Sequence, residues 1–342
     1  MKKLLFFILI ITLLAACSRE PVSLRLMTHD SFEVSEAVIN QFEMETGLTV
    51  EIFKSGDAGR MVNEAILARD APLADVLFGV DNTFLSRALE NDIFIPYESP
   101  ELANIADSLK LDSSNRALPV DFGDVCLNYD KAWFAENGLE PPQSLEQLAE
   151  PTFASLTVVE NPATSSPGLA FLLATISHFG EEGYVAFWQQ MADNGVAVTS
   201  GWEEAYYGQF TAASDGDRPI VVSYASSPPA EVYFAEQELT EAPTAAITAD
   251  GTCFRQIEFV GILNGTEHEA EARQLVDFML SRPFQEDIPL NMFVYPANET
   301  AVLPDVFTQF STIPDAPAQV NPEAISENRA TWIETWTRTV VR

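Results

Sequence analysis

Short apolar segments alternate with helical patterns from residue 22 onward, and this alternation restricts the fold more than any other feature of the sequence. The first five segments are VSLRLM (22–27), SEAVINQFEMETG (35–47), LTVEIF (48–53), GRMVNEAILARD (59–70) and DVLFGV (75–80). The apolar runs have the length of buried strands, and the segments between them repeat apolar residues about one turn apart. The series predicts a parallel sheet with helices on its faces.

A second strand and helix series begins after residue 125. Its apolar runs are LTVVE (156–160), VAV (196–198) and PIVVSY (219–224), and a polar loop follows each of them. A chain of 342 residues is long enough for two domains of ordinary size. Because ligands of parallel sheets bind beyond the carboxyl ends of the strands, we expect two α/β lobes with a binding site at these loops.

The first 16 residues have the features of a secretory signal peptide, with Lys2 and Lys3 before the apolar run LLFFILIITLL. The tetrapeptide LAAC, ending at Cys17, resembles a bacterial lipobox and predicts that Cys17 carries a lipid. The alternative is ordinary secretion with an incidental thiol. No later stretch approaches the ~18 apolar residues of a membrane helix. We therefore expect an extracytoplasmic protein, lipid-anchored to the cell membrane or periplasmic, that meets the membrane only through Cys17.

The formal charge of the chain is strongly negative. It is −33, and it becomes −35 when Lys2 and Lys3 are removed with the signal peptide. Such a surface repels nucleic acid and anionic lipid and attracts cations. The alternative is an acidic coat that only increases solubility.

Sequence motifs of common enzyme classes are absent. The chain has no G-x-S-x-G, P-loop, G-x-G-x-x-G, H-E-x-x-H or C-x-x-C pattern. The three histidines are far apart, and carboxylates are too abundant to single out a catalytic pair. The strand-end loops instead carry aromatic, hydroxyl and carboxylate side chains. We expect a binding protein without enzymatic activity, cofactor or bound metal.

Seven sequence blocks identify a family. They are THDSF (28–32), ADVLFGVDN (74–82), PPQSLEQL (141–148), NPATSSPGLAFLL (161–173), SGWEEAY (200–206), VVSYASSP (221–228) and IPLNMFVYPA (288–297). Their order and content resemble the thiamine-binding proteins of bacterial ABC importers across nearly the whole mature chain. The resemblance implies the type II periplasmic binding-protein fold, in which two α/β lobes are joined by two crossover strands. It also implies that the partners are thiamine or a thiamine phosphate and the transmembrane subunits of an ABC permease.

The resemblance divides the chain into two lobes. After the signal peptide (1–16), residues 17–122 and 254–290 form the N-terminal lobe, and residues 123–253 and 291–342 form the C-terminal lobe. Cys126 and Cys253 then fall on the two crossover strands. Two cysteines in an oxidising compartment form a plausible disulfide. We expect a Cys126–Cys253 bond between the crossover strands, and the alternative is two separate buried thiols.

Thiamine has a flat aminopyrimidine, a cationic thiazolium and a hydroxyethyl arm, so its site needs aromatic faces, polar partners and negative potential. The residues expected to supply them are His29, Asp30, Ser31, Asp57, Gly59, Asp81, Ser165, Trp202, Tyr224 and Phe293. His29 stands where the family usually has tyrosine and Phe293 where it has tryptophan. A protonated imidazole would repel the cationic ring, so His29 predicts weaker binding at low pH.

Structural roles are the alternatives at several of these positions. His29, Asp81 and Ser165 could cap the helices that follow them, and Phe293 could pack in a core. Two other functions also compete with thiamine binding. Adjacent Tyr206 and Tyr207 would suit a ferric-ion-binding protein of the same fold. A secreted hydrolase is a further alternative, but no nucleophile with an evident base can be located.

Overall fold

The computed structural model describes residues 22–341, so the predicted signal peptide and Cys17 lie outside the described residues. The strands are β1 (Ser23–Thr28), β2 (Thr49–Lys54), β3 (Val76–Asp81), β4 (Phe94–Ile95), β5 (Leu118–Asp130), β6 (Thr157–Glu160), β7 (Ala197–Thr199), β8 (Ile220–Tyr224), β9 (Thr244–Ile247), β10 (Phe254–Leu263) and β11 (Tyr295–Pro296). The α-helices are α1 (Glu36–Thr46), α2 (Ala58–Leu67), α3 (Leu85–Glu90), α4 (Lys131–Asn137), α5 (Leu145–Leu148), α6 (Pro151–Ala154), α7 (Ser166–Asp193), α8 (Trp202–Gly208), α9 (Ser227–Tyr233), α10 (Glu269–Leu280), α11 (Arg282–Asn291), α12 (Asp305–Phe310) and α13 (Pro322–Val340). Between residues 22 and 341, no helix has both the length and the apolar character to cross a membrane.

Local sequence signals fix the ends of the first helices. The Ser35 hydroxyl accepts a hydrogen bond from the backbone N–H of Val38 and begins α1. Gly47 ends the helix with φ of 72°, a left-handed conformation that favours glycine. Asp57 begins α2 by accepting from the backbone N–H of Gly59. Helix α1 therefore returns the chain to the start of β2, and α2 starts at the edge where β2 ends.

The main sheet consists of two parallel groups separated by an antiparallel pair. Its strand order is β2-β1-β3-β10-β5-β8-β6-β7. Strand β1 pairs in parallel with β2 and β3, and β6 pairs in parallel with β7 and β8. Strands β10 and β5 lie between these groups and are antiparallel to each other. This topology confirms the prediction of two α/β units joined by two crossover strands.

Each crossover strand runs from one hydrophobic core to the other. On β5, Leu118 belongs to the first core and Val125 to the second. On β10, Phe254 belongs to the second core and Val260 to the first. The second core also contains Trp336 of α13, whose ring lies 5.5 Å from that of Trp188 on α7. Two of the connections between the cores are therefore strands, and they are hydrogen-bonded to each other.

The exact lobe boundaries stay a prediction. The two cores follow the predicted order, with residues up to 120 in the first core and residues from 125 in the second. Val294 and Ala297 pack in the first core although they lie beyond the predicted change of lobe at residue 290. We therefore propose that the final passage to the second lobe comes after residue 297.

The predicted disulfide is present. Cys126 and Cys253 are bonded across β5 and the residue preceding β10, with Cα atoms 4.3 Å apart. The neighbouring register pair is Val125 with Phe254, so the cysteines extend the antiparallel pairing by one position. Both cysteines are fully buried. The bond fixes the crossover strands to each other where they enter the second core.

We predict that replacing both cysteines by alanine lowers the free energy of unfolding by about 4–5 kcal/mol. The bond spans a sequence separation of 127 residues, and closing so long a loop restricts the unfolded chain strongly. Urea unfolding of the unmodified protein, with and without reductant, should show the same shift as the double variant. Equal unfolding midpoints in all three samples would contradict the prediction.

Candidate functional site

The loops after β1 and β2 are joined by hydrogen bonds at one edge of the sheet. The backbone N–H of Asp30 donates to the carbonyl of Gly56 at 2.9 Å, and the N–H of Gly56 donates to Asp30 Oδ1 at 2.9 Å. The side chains of Asp30 and Ser31 are exposed, whereas the following Phe32 is buried in the first core. Asp30 therefore holds the two loops together, and Ser31 lies on their outer surface.

Asp57 begins α2 and faces other acidic groups. Its Oδ1 accepts from the backbone N–H of Gly59 at 3.4 Å. Burial raises the pKa of Asp57 to about 6, with a smaller contribution from the Asp81 carboxylate and against the opposing effect of the Gly59 hydrogen bond. At Gly59, a Cβ atom would come within 3.0 Å of the Phe84 ring, so the close approach of helix and ring requires glycine here.

Asp81 connects the first core to the second. It is fully buried at the end of β3 and accepts hydrogen bonds from the Thr83 backbone N–H at 2.7 Å and the Ser166 hydroxyl at 2.5 Å. Ser166 is the first residue of α7, a helix that packs in the second core. Burial raises the pKa of Asp81, although these hydrogen bonds oppose the shift. Asp81 therefore bonds the turn at Thr83, whereas α3 begins at Leu85 without a side-chain cap. A ligand contact of Asp81 stays a prediction.

His29 pairs with a glutamate that the sequence did not single out. Its Nε2 atom lies 3.2 Å from Oε1 of Glu258 on β10, and both side chains are only 11% exposed. Burial opposes the charged imidazole, but Glu258, Asp57 and Asp81 together raise the pKa of His29 above its ordinary value. At Gly79 of β3, a Cβ would come within 2.2 Å of the imidazole, so glycine provides the space that the ring occupies. A protonated His29 would therefore be balanced within the protein by Glu258.

Asp121 lies opposite Glu258 on the other crossover strand. The two residues are register partners of β5 and β10. Asp121 is fully buried, and the group that faces its carboxyl is a second acid, Glu258, with which it can share one proton. Burial, and then Glu258, raise the pKa of Asp121 well above its ordinary value. In the sequence, this pair shows only as acidic residues within the apolar runs LPVDFGDV (118–125) and FRQIEFVG (254–261).

Tyr224 adjoins this group of acids from the second core. Its hydroxyl donates to Gln256 Oε1 of β10 at 3.3 Å. A Cβ at Gly123 of β5 would come within 2.8 Å of the tyrosine ring, so a larger residue would displace it. Burial raises the pKa of Tyr224 well above its ordinary value, and the carboxylates of Glu258, Asp81, Asp57 and Asp121 add to the shift. We call these four acidic residues the carboxylate cluster.

Ser165 has the capping role that was one of its two alternatives. It is buried, and its hydroxyl oxygen accepts from the backbone N–H of Gly168 at 3.3 Å to begin α7. The neighbouring Ser166, which was not predicted, is the one that reaches the first lobe through Asp81. A ligand contact of Ser165 stays a prediction.

Trp202 stands at the start of α8 beside two tyrosines. Its indole N–H donates to the Ser223 hydroxyl at 2.8 Å, and its partly exposed ring stacks on Tyr206 with centroids 5.0 Å apart. The Tyr206 hydroxyl donates to the carboxylate of Glu231, and Tyr207 is 62% exposed. Burial, and then Glu231, raise the pKa of Tyr206 well above its ordinary value. Tyr206 is therefore held as a neutral phenol.

Phe293 lies in a second aromatic group. It has φ of 54°, and its ring lies 5.2 Å from that of Phe234, 5.9 Å from that of Tyr233 and 6.2 Å from that of Phe307. The Ser226 hydroxyl donates to its backbone carbonyl. The ring remains partly exposed, so it borders the aromatic group without being enclosed by it.

The described structure thus brings His29, Asp57, Asp81 and Tyr224 together, and it holds Trp202 and Phe293 in separate aromatic groups. The end of β8 and the turn after it link all three groups. Ser223 and Tyr224 end the strand, where Ser223 bonds Trp202 and Tyr224 faces the carboxylate cluster, and Ser226 of the turn bonds Phe293. Neighbouring residues of one short segment therefore set the spacing between the aromatic side chains and the acids.

Two comparisons cover most of the chain. The family model described as bacterial extracellular solute-binding protein matches residues 71–333. The thiamine-binding periplasmic protein of Brucella suis biovar 1 is 30% identical over 335 residues, which cover 94% of this chain and 93% of the relative. Both matches agree with a solute-binding role.

Solved structures agree with the fold. A periplasmic thiamin binding protein is 27% identical, with a TM-score of 0.83 over 95% of this chain and 98% of that chain. Iron-bound HitA from Pseudomonas aeruginosa is 19% identical, with a TM-score of 0.76 over 93% of this chain and 99% of that chain. The second likeness shows the shared fold alone.

The family model of the prokaryotic membrane lipoprotein lipid attachment site matches residues 1–18. This match confirms the predicted lipoprotein anchor and the extracytoplasmic location, with Cys17 remaining the predicted attachment residue. Together with the family match over residues 71–333 and the relatives that align along nearly all of the sequence, it leads to one conclusion. The chain belongs to the bacterial extracellular solute-binding protein family.

Proposed function

We propose that this protein captures thiamine or a thiamine phosphate between its two lobes and delivers it to the transmembrane subunits of an ABC importer. The relatives described as thiamine-binding support this proposal. The observation that carries it is the convergence of Asp57, Asp81, Asp121 and Glu258 on Tyr224, where the two cores meet. Buried carboxylates supply the negative potential that a permanently cationic thiazolium requires.

Aromatic side chains supply the ring faces in this proposal. Trp202, Tyr224 and Phe293 are each partly exposed and are linked through the turn after β8. An aromatic face attracts a cation by about 0.5–2 kcal/mol, and more when water is excluded. Tyr233 lies beside Phe293 and would extend that face.

Polar partners for the ligand come from the strand-end loops. His29 presents an imidazole that pairs with Glu258, and this carboxylate would offset part of the repulsion between a protonated ring and a cationic ligand. Weaker binding at low pH through His29 stays a prediction. Asp30, Ser31, Gly59 and Ser165 remain proposed contacts, since each lies on a loop or helix start that borders the site. The family is one of binding proteins, and we propose that no reaction is catalysed at these groups.

The ferric-ion alternative is less well supported. Ferric sites use tyrosine as phenolate, but the Tyr206 hydroxyl donates to Glu231 and its pKa is raised. No cluster of three or more histidine, cysteine, aspartate or glutamate side chains with metal-binding geometry occurs in residues 22–341. A visible tyrosinate-to-iron absorption band in the purified protein would favour iron.

Calorimetric titration with thiamine tests the main proposal, and no binding at millimolar thiamine would contradict it.

We predict that Trp202→Ala weakens thiamine binding by about 1–3 kcal/mol, because it removes a stacking face and its cation–π attraction. The affinity is measured by calorimetry on protein shown to be folded by near-ultraviolet circular dichroism.

Trp202→Phe is the matched variant. It keeps an aromatic face but loses the indole N–H that bonds Ser223, so it should retain most of the affinity. Unchanged affinity in Trp202→Ala would remove this residue from the site. Equal losses in both variants would assign its effect to the hydrogen bond with Ser223.

We predict that thiamine affinity rises with pH through about 6 and that binding near this pH releases protons. Asp57 has its pKa raised to about 6 by burial, and a bound cation favours the ionised form and lowers that pKa. Below this range Asp57 is protonated and attracts the cation less. Calorimetry in buffers of different ionisation enthalpy measures the released protons directly.

Asp57→Asn should flatten this profile, whereas Asp70→Asn, at an exposed residue beyond the other end of α2, should preserve it. Asparagine caps a helix about as well as aspartate, so the start of α2 is retained. A pH profile that is unchanged in Asp57→Asn would show that another group titrates.

A further inference from the structure

We propose that Glu231 is a positioning residue of the ligand site, which acts through Tyr206 to hold the ring of Trp202 at a fixed angle. Glu231 needs no contact with the ligand in this role. The inference rests on the proposed function, in which Trp202 supplies a stacking face, and it goes further by naming the residues that keep this face in place.

Tyr206 covers part of the indole ring of Trp202. The two rings are inclined by 25° with their centroids 5.0 Å apart, which is a stacked arrangement. Tyr206 is only 4% exposed and belongs to a buried cluster with Val158 and Val221 of the sheet. Because Tyr206 is fixed in this cluster while Trp202 is partly exposed, the phenol ring determines the tilt of the indole.

Glu231 restrains Tyr206 from another helix. The Tyr206 hydroxyl on α8 donates to Oε1 of Glu231 on α9. Hydrogen bonds that a carboxylate accepts are shorter and stronger than those between neutral groups. The bond therefore fixes the phenol ring and joins two helices that follow different strands, β7 and β8.

A second contact comes from the same face of α9. Ser227 lies four residues before Glu231, so the two side chains are neighbours on the helix surface. The Ser227 hydroxyl lies 2.8 Å from that of Ser223, which accepts from the indole N–H of Trp202 at 2.8 Å. Helix α9 thus holds the indole at its N–H edge through Ser223 and at its face through Tyr206. A contact at the edge alone would leave the ring free to tilt about the hydrogen bond.

Packing alone does not explain an acid at position 231. Glu231 is partly buried, and burial raises its pKa to about 7. The hydrogen bond from Tyr206 opposes this shift, and the carboxylate of Asp130 adds to it. An apolar side chain would avoid the unfavourable burial of a charge, but it could not accept a hydrogen bond from the phenol. Glu231 therefore has a specific partner, and at about pH 8 it is mostly ionised.

A fixed indole binds a ligand more tightly than a mobile one, because a mobile ring must be ordered when the ligand arrives. Ordering one side chain weakens binding by about 2- to 10-fold. We therefore expect Glu231→Ala and Tyr206→Phe, which each remove the hydrogen bond, to weaken thiamine binding by this factor. Tyr206→Phe retains the stacked ring and tests the hydroxyl alone, and unchanged affinity in both variants would overturn the inference.

The experiment is calorimetry of the full mature chain with thiamine at about pH 8, on variants shown to be folded by near-ultraviolet circular dichroism. Glu231→Gln separates position from charge, because glutamine keeps an oxygen that accepts from Tyr206 but has no negative charge to attract a cation. It should bind thiamine as the unmodified protein does. The matched control is Glu236→Gln, at an exposed acid beyond the end of α9, and it should also leave the affinity unchanged. If Glu231→Gln loses as much affinity as Glu231→Ala, the carboxylate acts through its charge and the inference is overturned.

Glu231→Ala is then combined with Trp202→Ala. If Glu231 acts through Trp202, its replacement has no further effect once the indole is absent. An equal loss of affinity with and without the indole would show that Glu231 acts independently of Trp202, which would overturn the inference while the proposed function stands.

Time-resolved fluorescence anisotropy of the ligand-free protein tests the positioning role without thiamine. The chain has five tryptophans, so the signal of Trp202 is the difference between each protein and the same protein with Trp202→Phe. Faster decay of this signal in Glu231→Ala and Tyr206→Phe supports the inference, and unchanged decay in both overturns it. If the unmodified protein does not bind thiamine, the proposed function fails, and this measurement still decides whether Glu231 holds the ring.

Discussion

The antiparallel pairing of β5 with β10 is the constraint on which the rest of the structure depends. Both strands cross between the two cores, and they are hydrogen-bonded from Leu118 with Val260 to Val125 with Phe254. The Cys126–Cys253 bond extends the pairing at one end. Because the strands are locked side by side, each lobe keeps its place along the pair while backbone torsions remain free to change the angle between the lobes.

The same pairing determines the charge of the site. Asp121 and Glu258 are register partners, so the antiparallel arrangement brings two acids together between the lobes. The first lobe adds Asp57 and Asp81 from the ends of its strands. Burying charges of one sign is unfavourable, and the raised pKa values of Asp57, Asp81 and Asp121 express that cost. Protein interiors usually avoid such a cluster, and its presence is typical of a functional site that is less stable than its surroundings.

The end of β8 and the turn after it connect this charged region with the aromatic side chains. Ser223 and Ser226 bond the indole of Trp202 and the backbone of Phe293, while Tyr224 between them faces the acids. The hydroxyl of Ser227 also lies 2.8 Å from that of Ser223 and stiffens the turn. Small hydroxyl side chains suit this role because they reach neighbouring polar atoms without filling the space that aromatic rings need.

The sequence by itself determined the α/β class, the strand-end position of the loops and the pairing of the two mature cysteines. Periodicity and motif order are local properties, and they survive without knowledge of long-range contacts. The sequence did not reveal Asp121, Glu258 or Ser166, because an acid in an apolar run or one serine of a pair has no distinctive local pattern. Only the tertiary structure decided that residues separated by 137 positions, Asp121 and Glu258, lie opposite each other, since strand register is set by packing between distant segments. It also decided that His29 has an acidic partner, because Glu258 lies on β10, far from His29 in the sequence.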